Sequence, residues 1–334
     1  MKAFVVSKYS KKTKLQLTET PQPVGSENEV VVQIHSTSVN PIDYRVKYGD
    51  FKLILPHKMP FILGHDLAGV VVKVGSAIHS FKVGDEVYAL TPVDKIGTFA
   101  EYIAIDQSYV ARKPKNLTMD EAASIPLVGL AVWQLLVERV GLKSGQKVFI
   151  QAGSGGVGTF AIQLAKHIGA YVATTTSADN IELVKKLGAD VVIDYKKDDF
   201  ETILTGYDVV LHSQNTESLH KAMRILKSGG KVVSISGPPD VDFAIQMKAN
   251  WLIKTVMYFL SRSIKKTAKK LGVHYSFLFT RAQGEQLTQI TSLVESGVIK
   301  PIIDKVFPFS QTNDALEYVE AGRSKGKVVI KIKD

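Results

Sequence analysis

The segment "KVFIQAGSGGVGTFAIQLAKHIGA", Lys147 to Ala170, decides the fold prediction. It places the pattern G-x-G-x-x-G between a buried-strand pattern and a helical pattern. The first glycine permits a tight turn, the next lets the backbone approach a pyrophosphate, and the last lets helix and sheet pack closely. Amide groups at the start of the helix would then face the anion. The segment therefore predicts a dinucleotide site formed by Gly153, Gly155, Gly156, Val157 and Gly158.

The predicted secondary-structure pattern changes twice along the chain. From about Asn116 onward, β-branched runs such as "YVATTT", "DVVID" and "YDVVLHS" alternate with helical patterns, which is typical of a parallel sheet covered on both faces. The first 110 residues instead consist of short β-rich runs between turns. The tail of the chain is again β-rich, around one short helix. We predict an α/β fold in which a β-rich domain (1–124, completed by 282–334) is interrupted by a Rossmann-type, doubly wound parallel-sheet domain (125–281).

Two local patterns give sharper predictions. Thr118 followed by Glu121 predicts a capped helix start, and Pro126 should break the helical run that follows. Val273 to Phe279, "VHYSFLF", predicts a final edge strand, and long apolar edges are usually covered or paired.

Composition limits the function classes. The 334 residues, 45% hydrophobic and 22% charged, are enough for two globular domains. With no cysteine, disulfides, thiolate zinc sites, iron–sulfur clusters and a cysteine nucleophile are excluded. The charge of +10 is spread along the chain and favours an anionic ligand. Only "SIKKTAKK" (Ser263 to Lys270) is dense, and we interpret it as the solvated face of a helix. We expect no nucleic-acid partner.

No secretory signal is recognised at the start, and the late apolar stretch "NWLIKTVMYFLSRSIKK" is interrupted by Lys254. That stretch is too short to span a bilayer. These features predict a cytoplasmic protein without a membrane partner.

The segment after the second strand of the cofactor domain, Ala173 to Asn180, bears on which dinucleotide binds. Binders of NAD usually place an acid there for the ribose 2′-hydroxyl, whereas "ATTTSADN" offers hydroxyls. Thr176 and Ser177 could accommodate a 2′-phosphate. Asp179 is mildly unfavourable for a phosphate, and Lys185 is interpreted as a surface residue. NADPH is therefore favoured over NADH.

At this point the whole chain resembles the medium-chain dehydrogenase/reductase superfamily, and within it the zinc-independent quinone oxidoreductases and 2-alkenal reductases. The resemblance rests on "SVNPIDYR", "GHDLAGVV", "VGDEVYAL", "GTFAEY", "KPKNLTMDEAASIPL", "VFIQAGSGGVG", "LGADVVIDY" and "KSGGKVV" in this order and spacing. It implies a GroES-like catalytic domain interrupted by a Rossmann domain.

The resemblance also implies roles for residues of the first domain. Asn40 would approach the nicotinamide, although an Asn before Pro41 could simply cap a turn. Asp43 would be a structural or proton-network residue. Tyr44 would line the substrate cleft and could donate a proton, with a plain half-buried tyrosine as the alternative. The family often has a Thr near Ala131 that faces the nicotinamide, and its absence here weakens that contact.

Further cofactor contacts are implied elsewhere in the chain. Tyr195 resembles a tyrosine beside the 2′-phosphate, and Phe279 resembles a loop residue that covers the nicotinamide. Lys325 matches a basic position near the cofactor, with a solvated lysine as the alternative. Ser213 and Gly237 stand at the ends of predicted parallel strands, where ligands bind in such sheets.

The stretch "FILGHDLAGVV", Phe61 to Val71, resembles the segment that supplies a zinc ligand in metal-dependent relatives. A catalytic zinc needs three protein ligands plus a water, and only His65 and Asp66 stand in plausible positions. We therefore predict no zinc and a structural His65.

The predicted function is hydride transfer from NADPH to a quinone or to the β-carbon of an α,β-unsaturated carbonyl, by a homodimer paired through the edge strand. Two alternatives remain open. One is a non-catalytic NADPH-binding redox sensor or structural protein, since a fold does not dictate a function. The other is a zinc alcohol dehydrogenase.

Overall fold

The computed structural model describes Met1–Lys333. The chain forms two compact units. Unit 1 comprises Met1–Leu130 and Arg281–Asp334, and unit 2 comprises Ala131–Thr280. The boundaries predicted from the sequence lie at 124/125 and 281/282.

The first part of the chain is rich in strands. In order it forms β1 (Lys2–Val6), β2 (Gln16–Glu19), β3 (Glu29–Val39), α1 (Pro41–Tyr48), β4 (Phe61–Ile62), β5 (Asp66–Val74), β6 (Glu86–Leu90), β7 (Tyr102–Asp106), β8 (Val110–Arg112), α2 (Met119–Ala123) and α3 (Pro126–Trp133).

Strands and helices alternate in the middle of the chain. They are β9 (Lys147–Ile150), α4 (Gly156–Ile168), β10 (Tyr171–Thr176), α5 (Ile181–Lys186), β11 (Val191–Asp194), α6 (Phe200–Ile203), β12 (Tyr207–His212), α7 (Thr216–Arg224), β13 (Leu226–Ser234), α8 (Val241–Gln246), α9 (Trp251–Lys270) and β14 (His274–Phe277).

The last part adds two helices and two strands, namely α10 (Gly284–Glu295), β15 (Ile303–Pro308), α11 (Thr312–Glu320) and β16 (Lys327–Lys331).

Unit 1 is built around a seven-stranded sheet. Its order is β15-β16-β3-β5-β6-β8, and β7 also pairs with β3. The long strand β3 bends at register shifts, which lets it pair with β16, β5 and β7. A smaller sheet has the order β2-β1-β4. Two apolar clusters form the core of this unit, one around Phe4, Leu63 and Phe99 and the other around Val32, Leu67 and Val87.

Unit 2 contains one six-stranded sheet of order β11-β10-β9-β12-β13-β14, in which every pairing is parallel. Counted within the unit this order is 3-2-1-4-5-6, as in dinucleotide-binding sheets. The order reverses between β9 and β12, and ligands of such sheets bind beyond the strand ends at that point. The predicted α/β architecture is thereby confirmed.

Local predictions also hold. The Thr118 hydroxyl accepts a hydrogen bond from the Glu121 amide, and the Glu121 carboxylate accepts one from the Thr118 amide, so the predicted cap is present. The helical run is broken before Pro126, which begins α3, because proline lacks the amide that would continue the first helix. Strand β14 lies at the sheet edge, as predicted, but covers only His274–Phe277.

Candidate active site

The glycine turn of unit 2 follows β9 and leads into α4. A Cβ atom on Gly153 would lie 2.1 Å from the Thr174 hydroxyl oxygen, and one on Gly158 would lie 2.3 Å from the Ala152 carbonyl oxygen. Neither distance is compatible with a side chain, so both positions require glycine. Gly155 differs, since its Cβ would meet only the Ala152 carbonyl oxygen, at 3.4 Å. The space beside Gly155 is therefore open.

The backbone of this turn is held in an uncommon conformation. Ala152 has a φ of 53°, in the left-handed region that L residues with a side chain seldom adopt. Such strain often occurs where the backbone must approach a ligand. Helix α4 has 13 residues, and the backbone amides at its start lie next to the open space beside Gly155. Such amides can bind an anion.

The residues predicted at the strand ends lie along one edge of the sheet. The Thr176 hydroxyl donates to Ser154 Oγ (2.9 Å), and the Tyr195 amide donates to the Thr176 carbonyl (3.2 Å). The Ser213 hydroxyl donates to the Gln151 carbonyl (3.4 Å), which links the ends of β12 and β9. Thr176, Tyr195 and Ser213 therefore lie at or just beyond the carboxyl ends of β10, β11 and β12, where ligands of such sheets bind.

Gly237, beyond the end of β13, is fixed by a complete chain of hydrogen bonds. Its amide donates to Ser234 Oγ (2.6 Å), the Ser234 hydroxyl donates to His212 Nδ1 (2.7 Å), and His212 Nε2 donates to the Asn215 carbonyl (3.0 Å). This chain assigns the neutral tautomer with the proton on Nε2. Burial lowers the pKa of His212 to about 4.

Two buried carboxamide oxygens beside the turn have no hydrogen-bond partner. They are Gln151 Oε1 and Asn180 Oδ1. The amide nitrogens of both residues are engaged, since Gln151 donates to Ser218 Oγ (2.8 Å) and Asn180 donates to Ser177 Oγ (3.1 Å). A buried acceptor without a donor costs about 1–3 kcal/mol. A ligand with hydroxyl or amine groups, such as a dinucleotide, fits this edge because it would satisfy these oxygens.

The corresponding cluster in unit 1 centres on Asp66, at the start of β5. One carboxylate oxygen, Oδ2, accepts hydrogen bonds from Ser38 Oγ (2.6 Å) and Asn40 Nδ2 (2.7 Å). The other, Oδ1, accepts from the Leu127 amide (2.7 Å). Asp66 is fully buried, so these donors replace its lost hydration.

A buried lysine completes the cluster. Lys327, the first residue of β16, places Nζ 3.4 Å from Asp66 Oδ2 and also donates to the side-chain oxygen of Asn40 and to the Val39 carbonyl. Burial lowers the pKa of its ammonium group, and the nearby carboxylates of Asp66 and Asp43 oppose this shift. Both ends of the Asn40 carboxamide are therefore engaged inside the protein.

His65 belongs to the same cluster but contacts the other carboxylate. Its Nδ1 lies 2.6 Å from Asp43 Oδ1, while Asp43 Oδ2 accepts from the Asn40 amide (2.7 Å). Beside it, the Thr91 amide donates to the His65 carbonyl (2.9 Å), and the Thr91 hydroxyl has no partner.

These residues do not form a set of zinc ligands. Asp66 is saturated by donors and lies next to an ammonium group, and Asp43 holds His65 Nδ1, which leaves His65 Nε2 as the one candidate ligand of the segment. Within Met1–Lys333, no group of three or more metal-ligating side chains comes together. A catalytic zinc site with three protein ligands therefore does not fit these residues.

Tyr44 lies on α1, half-buried, with its ring 5.8 Å from that of Tyr48. Burial raises the pKa of its phenol above the ordinary value, which already lies well above neutral pH. The Tyr44 ring packs against the apolar cluster around Phe4. This environment orients the side chain while its hydroxyl stays protonated.

Phe279 and Lys325 take no part in the hydrogen bonds described above. The Phe279 ring packs against Phe243 of α8, with centroids 5.2 Å apart. Lys325 is exposed in the turn before β16.

Sequence reasoning missed Gln151, Asn180 and Lys327. Lys327 carried a usable signal, since it opens the apolar run "KVVIK", where a charge is unusual. Asn180 stood in the segment already quoted for the cofactor. Gln151 had no signal of its own.

Comparisons with known proteins agree with this geometry. Residues 26–115 match the family described as alcohol dehydrogenase GroES-like domain, and residues 187–330 match the family described as zinc-binding dehydrogenase. The human protein named "NAD(P)H oxidoreductase RTN4IP1, mitochondrial" is 37% identical, over 99% of this chain and 89% of its own length. The chain belongs to the medium-chain dehydrogenase/reductase superfamily.

Two further similar proteins indicate which group within the superfamily the chain resembles. The "NADPH-dependent alkenal/one oxidoreductase, chloroplastic" of Arabidopsis thaliana is 35% identical, over 99% of this chain and 79% of its own length. The solved structure of the quinone oxidoreductase from Coxiella burnetii superposes with a TM-score of 0.88 at 29% identity, covering 100% of this chain and 99% of the other. The predicted resemblance to the quinone oxidoreductase and alkenal reductase group is confirmed, and the chain is a nicotinamide-dependent oxidoreductase.

Proposed function

We propose that this protein reduces quinones or α,β-unsaturated carbonyl compounds with NADPH and without a metal. The observation that carries the proposal is the contrast between the open glycine turn, with its unpartnered acceptors, and the Asp66 cluster, whose charges are matched internally. Bound NADPH would supply the hydride. The residues of the chain would position the reactants, and such positioning can contribute roughly 7–11 kcal/mol to the lowering of a barrier.

Conjugated acceptors suit a site without a metal because the charge that follows hydride addition spreads onto an oxygen. That oxygen needs a proton donor or a hydrogen bond. We assign this role to Tyr44, a half-buried phenol on α1 for which the family resemblance implies a position in the substrate cleft. A saturated aldehyde offers no such delocalisation, so the charge stays on one oxygen and needs stronger stabilisation, which a metal ion such as zinc can supply.

The preference for NADPH is supported by the hydroxyls at the end of β10. Thr176, Ser177 and Ser154 lie within one hydrogen-bonded group with Asn180. Asp179, next to Asn180 in the chain, is mildly unfavourable for a phosphate. Tyr195 follows the neighbouring strand and can lie beside a 2′-phosphate. Asp194 opposes this preference, since it lies opposite Thr176 in the β10–β11 register.

The test is an acceptor screen at neutral pH with NADPH and, in parallel, with NADH. Quinones and enals should stimulate NADPH oxidation, saturated aldehydes should not, and NADPH should show the lower Michaelis constant. Turnover with saturated aldehydes alone would overturn the proposal. Tight NADPH binding without turnover on any acceptor would instead favour the non-catalytic alternative.

The role of Tyr44 has its own variant. Tyr44→Phe should lower kcat by about 10²-fold, which is the lower range for loss of a general acid, and leave NADPH affinity unchanged. Tyr48→Phe is the matched control on the same helix, since it loses only a hydrogen bond to Glu320. Equal kcat values for Tyr44→Phe and wild type would remove Tyr44 from the mechanism.

Two further expectations accompany the proposal. We propose a homodimer that pairs through β14, because that strand is an edge of the unit 2 sheet. A monomer in sedimentation would contradict it. The cytoplasmic location stays a prediction, since the names of the human and Arabidopsis relatives place those proteins in mitochondria and chloroplasts.

A further inference from the structure

Helix α9, Trp251–Lys270, presents an unusual outer face. Its buried stripe is formed by Met257, Ser261, Ile264 and Ala268, spaced so that they line one side of the helix. The opposite side is not the polar surface that an amphipathic helix usually turns to water.

The first half of that outer side is apolar. Trp251 is 76% exposed and Phe259 is 61% exposed. Exposed apolar side chains surround them, namely Leu252, Val256, Tyr258 and Leu260, and Ile245 of the preceding helix α8 is exposed as well. We call these residues the apolar patch. A contiguous set of large exposed side chains marks an interaction site in most proteins.

The second half is basic. Arg262, Lys266, Lys269 and Lys270 are exposed, and none of them forms an ion pair with any of the described residues. Lys265 alone on this half reaches a carboxylate, with Nζ 3.6 Å from Asp240 Oδ2. Helix α9 contains no acidic residue, and residues 241–270 contain a single one, Asp242. We call the four exposed cations the basic patch.

We propose that α9 binds the surface of an anionic lipid bilayer. Its apolar patch would enter the boundary between head groups and acyl chains while the basic patch contacts lipid phosphates. Large apolar and aromatic side chains beside lysine and arginine are the combination that interfacial helices use. Each basic residue near an anionic surface adds to the attraction.

A second copy of the chain fits this face less well. A two-fold interface brings the same patch of both copies together. Antiparallel helices that overlap along their whole length would lay the basic patch of each copy on the apolar patch of the other and bury unpaired cations. Parallel helices would set like charges side by side. Charge complementarity therefore favours a lipid surface.

The proposed contact is peripheral. Among the described residues, no helix combines the length and the hydropathy that crossing a bilayer requires. The proposal departs from the sequence prediction of no membrane partner. That prediction rested on an apolar stretch too short to span a bilayer and on Ser263 to Lys270 as a solvated helix face, and neither point bears on binding at a bilayer surface. It is independent of the proposed redox activity.

The test is flotation of the full chain with two kinds of vesicle, one of phosphatidylcholine alone and one in which about a third of the lipid is phosphatidylglycerol. The protein should float with the anionic vesicles at low salt, remain unbound with the neutral ones, and dissociate as salt screens the charges. Failure to bind the anionic vesicles at low salt would overturn the proposal.

Variants assign the contact to α9. Lys266→Glu with Lys270→Glu should weaken the partition onto anionic vesicles by at least about tenfold, and Phe259→Ser with Leu252→Ser should weaken it to a similar degree. The matched controls are Lys12→Glu with Lys73→Glu and Leu53→Ser with Val24→Ser, which alter exposed residues of unit 1. Equal losses in the α9 variants and their controls would overturn the proposal.

Fluorescence gives a direct readout of insertion. The chain has two tryptophans, so Trp133→Phe leaves Trp251 alone. Anionic vesicles should shift Trp251 emission to shorter wavelength and protect it from a water-soluble quencher. Flotation without either change would show that another surface binds lipid. A dimer that Phe259→Ser dissociates, with no vesicle binding, would show that a second copy covers the face. Both results would contradict the proposal.

Discussion

The glycine turn of unit 2 and the His65 segment of unit 1 both resemble ligand sites in the sequence, but their polar groups differ in the structure. Beside the turn, Gln151 Oε1 and Asn180 Oδ1 are buried and have no donor. In unit 1, the Asp66 carboxylate has three hydrogen-bond donors and a nearby ammonium group. A buried polar atom without a partner invites a ligand that supplies one, whereas a satisfied carboxylate has little to offer a metal ion.

The difference is also one of charge. Lys327 brings a cation to within 3.4 Å of Asp66 Oδ2, in the segment whose sequence resembles a zinc-ligand segment. Its ammonium group opposes the approach of a second cation and balances the carboxylate in the interior. In unit 1, the charge of the Asp66 carboxylate is therefore stabilised by protein groups.

The largest expected effect comes from breaking the charge balance in unit 1. Lys327→Met should lower the free energy of unfolding by about 3 kcal/mol, because Asp66 is left buried without a counter-charge. Lys325→Met, two residues away and exposed, should change it by less than about 0.5 kcal/mol. Urea unfolding measures both. Equal values for the two variants would mean that the Asp66 charge is not balanced by Lys327.

A second prediction concerns His212 of unit 2, a buried side chain whose two ring nitrogens both have hydrogen-bond partners, like the Asp66 carboxylate in unit 1. The folded protein holds the pKa of His212 at about 4, below the 6.5 of an ordinary histidine, so the unfolded chain binds one more proton between these values. The associated stability is complete above pH 6.5 and is lost as pH falls toward 4, by about 3 kcal/mol over the range.

His212→Gln should therefore flatten the fall of unfolding free energy between pH 6.5 and 4. The measurement is urea unfolding at several pH values. His79→Gln, at an exposed histidine, is the control and should keep the wild-type slope. An unchanged slope in His212→Gln would refute the role given to burial of this ring.

The smallest expected effect tests whether the space beside Gly155 is open for a ligand. Gly155→Ala should weaken NADPH binding about tenfold, or roughly 1.4 kcal/mol, because the methyl group enters the space left for the anion. It should leave the melting temperature unchanged, since Gly155 has a φ of −79° and room for a Cβ. Fluorescence titration with NADPH and thermal unfolding measure the two effects.

Gly158→Ala is the matched comparison in the same turn. Its Cβ would lie 2.3 Å from the Ala152 carbonyl oxygen, so this variant should lose both binding and thermal stability. If Gly155→Ala lowered the melting temperature as much as Gly158→Ala, the turn would not be open beside Gly155.

Sequence patterns predicted the parts of this protein that depend on local order. The period of apolar residues gave the parallel sheet, and the glycine spacing located the turn, because Gly153 and Gly158 are required by contacts within a few residues or with the adjacent strand. Thr118 and Glu121 cap a helix through neighbours three residues apart, which is also readable from the chain.

The remainder depends on contacts between distant residues. Lys327 bonds to Asn40 across 287 positions, so no local pattern shows that its ammonium group is buried. The unpartnered oxygens of Gln151 and Asn180 are likewise a property of the folded neighbourhood, since both side chains would be hydrated in the unfolded chain. The exposed apolar face of α9 was visible as an apolar stretch, but which side of the helix packs inward was not.

The most direct test of the account is steady-state NADPH oxidation with an enal, using protein dialysed against a strong chelator, with zinc measured in the same sample. The account predicts full turnover without stoichiometric zinc, because the Asp66 carboxylate is satisfied by protein donors and balanced by Lys327. Loss of turnover on chelation, with recovery when zinc is added back, would contradict it.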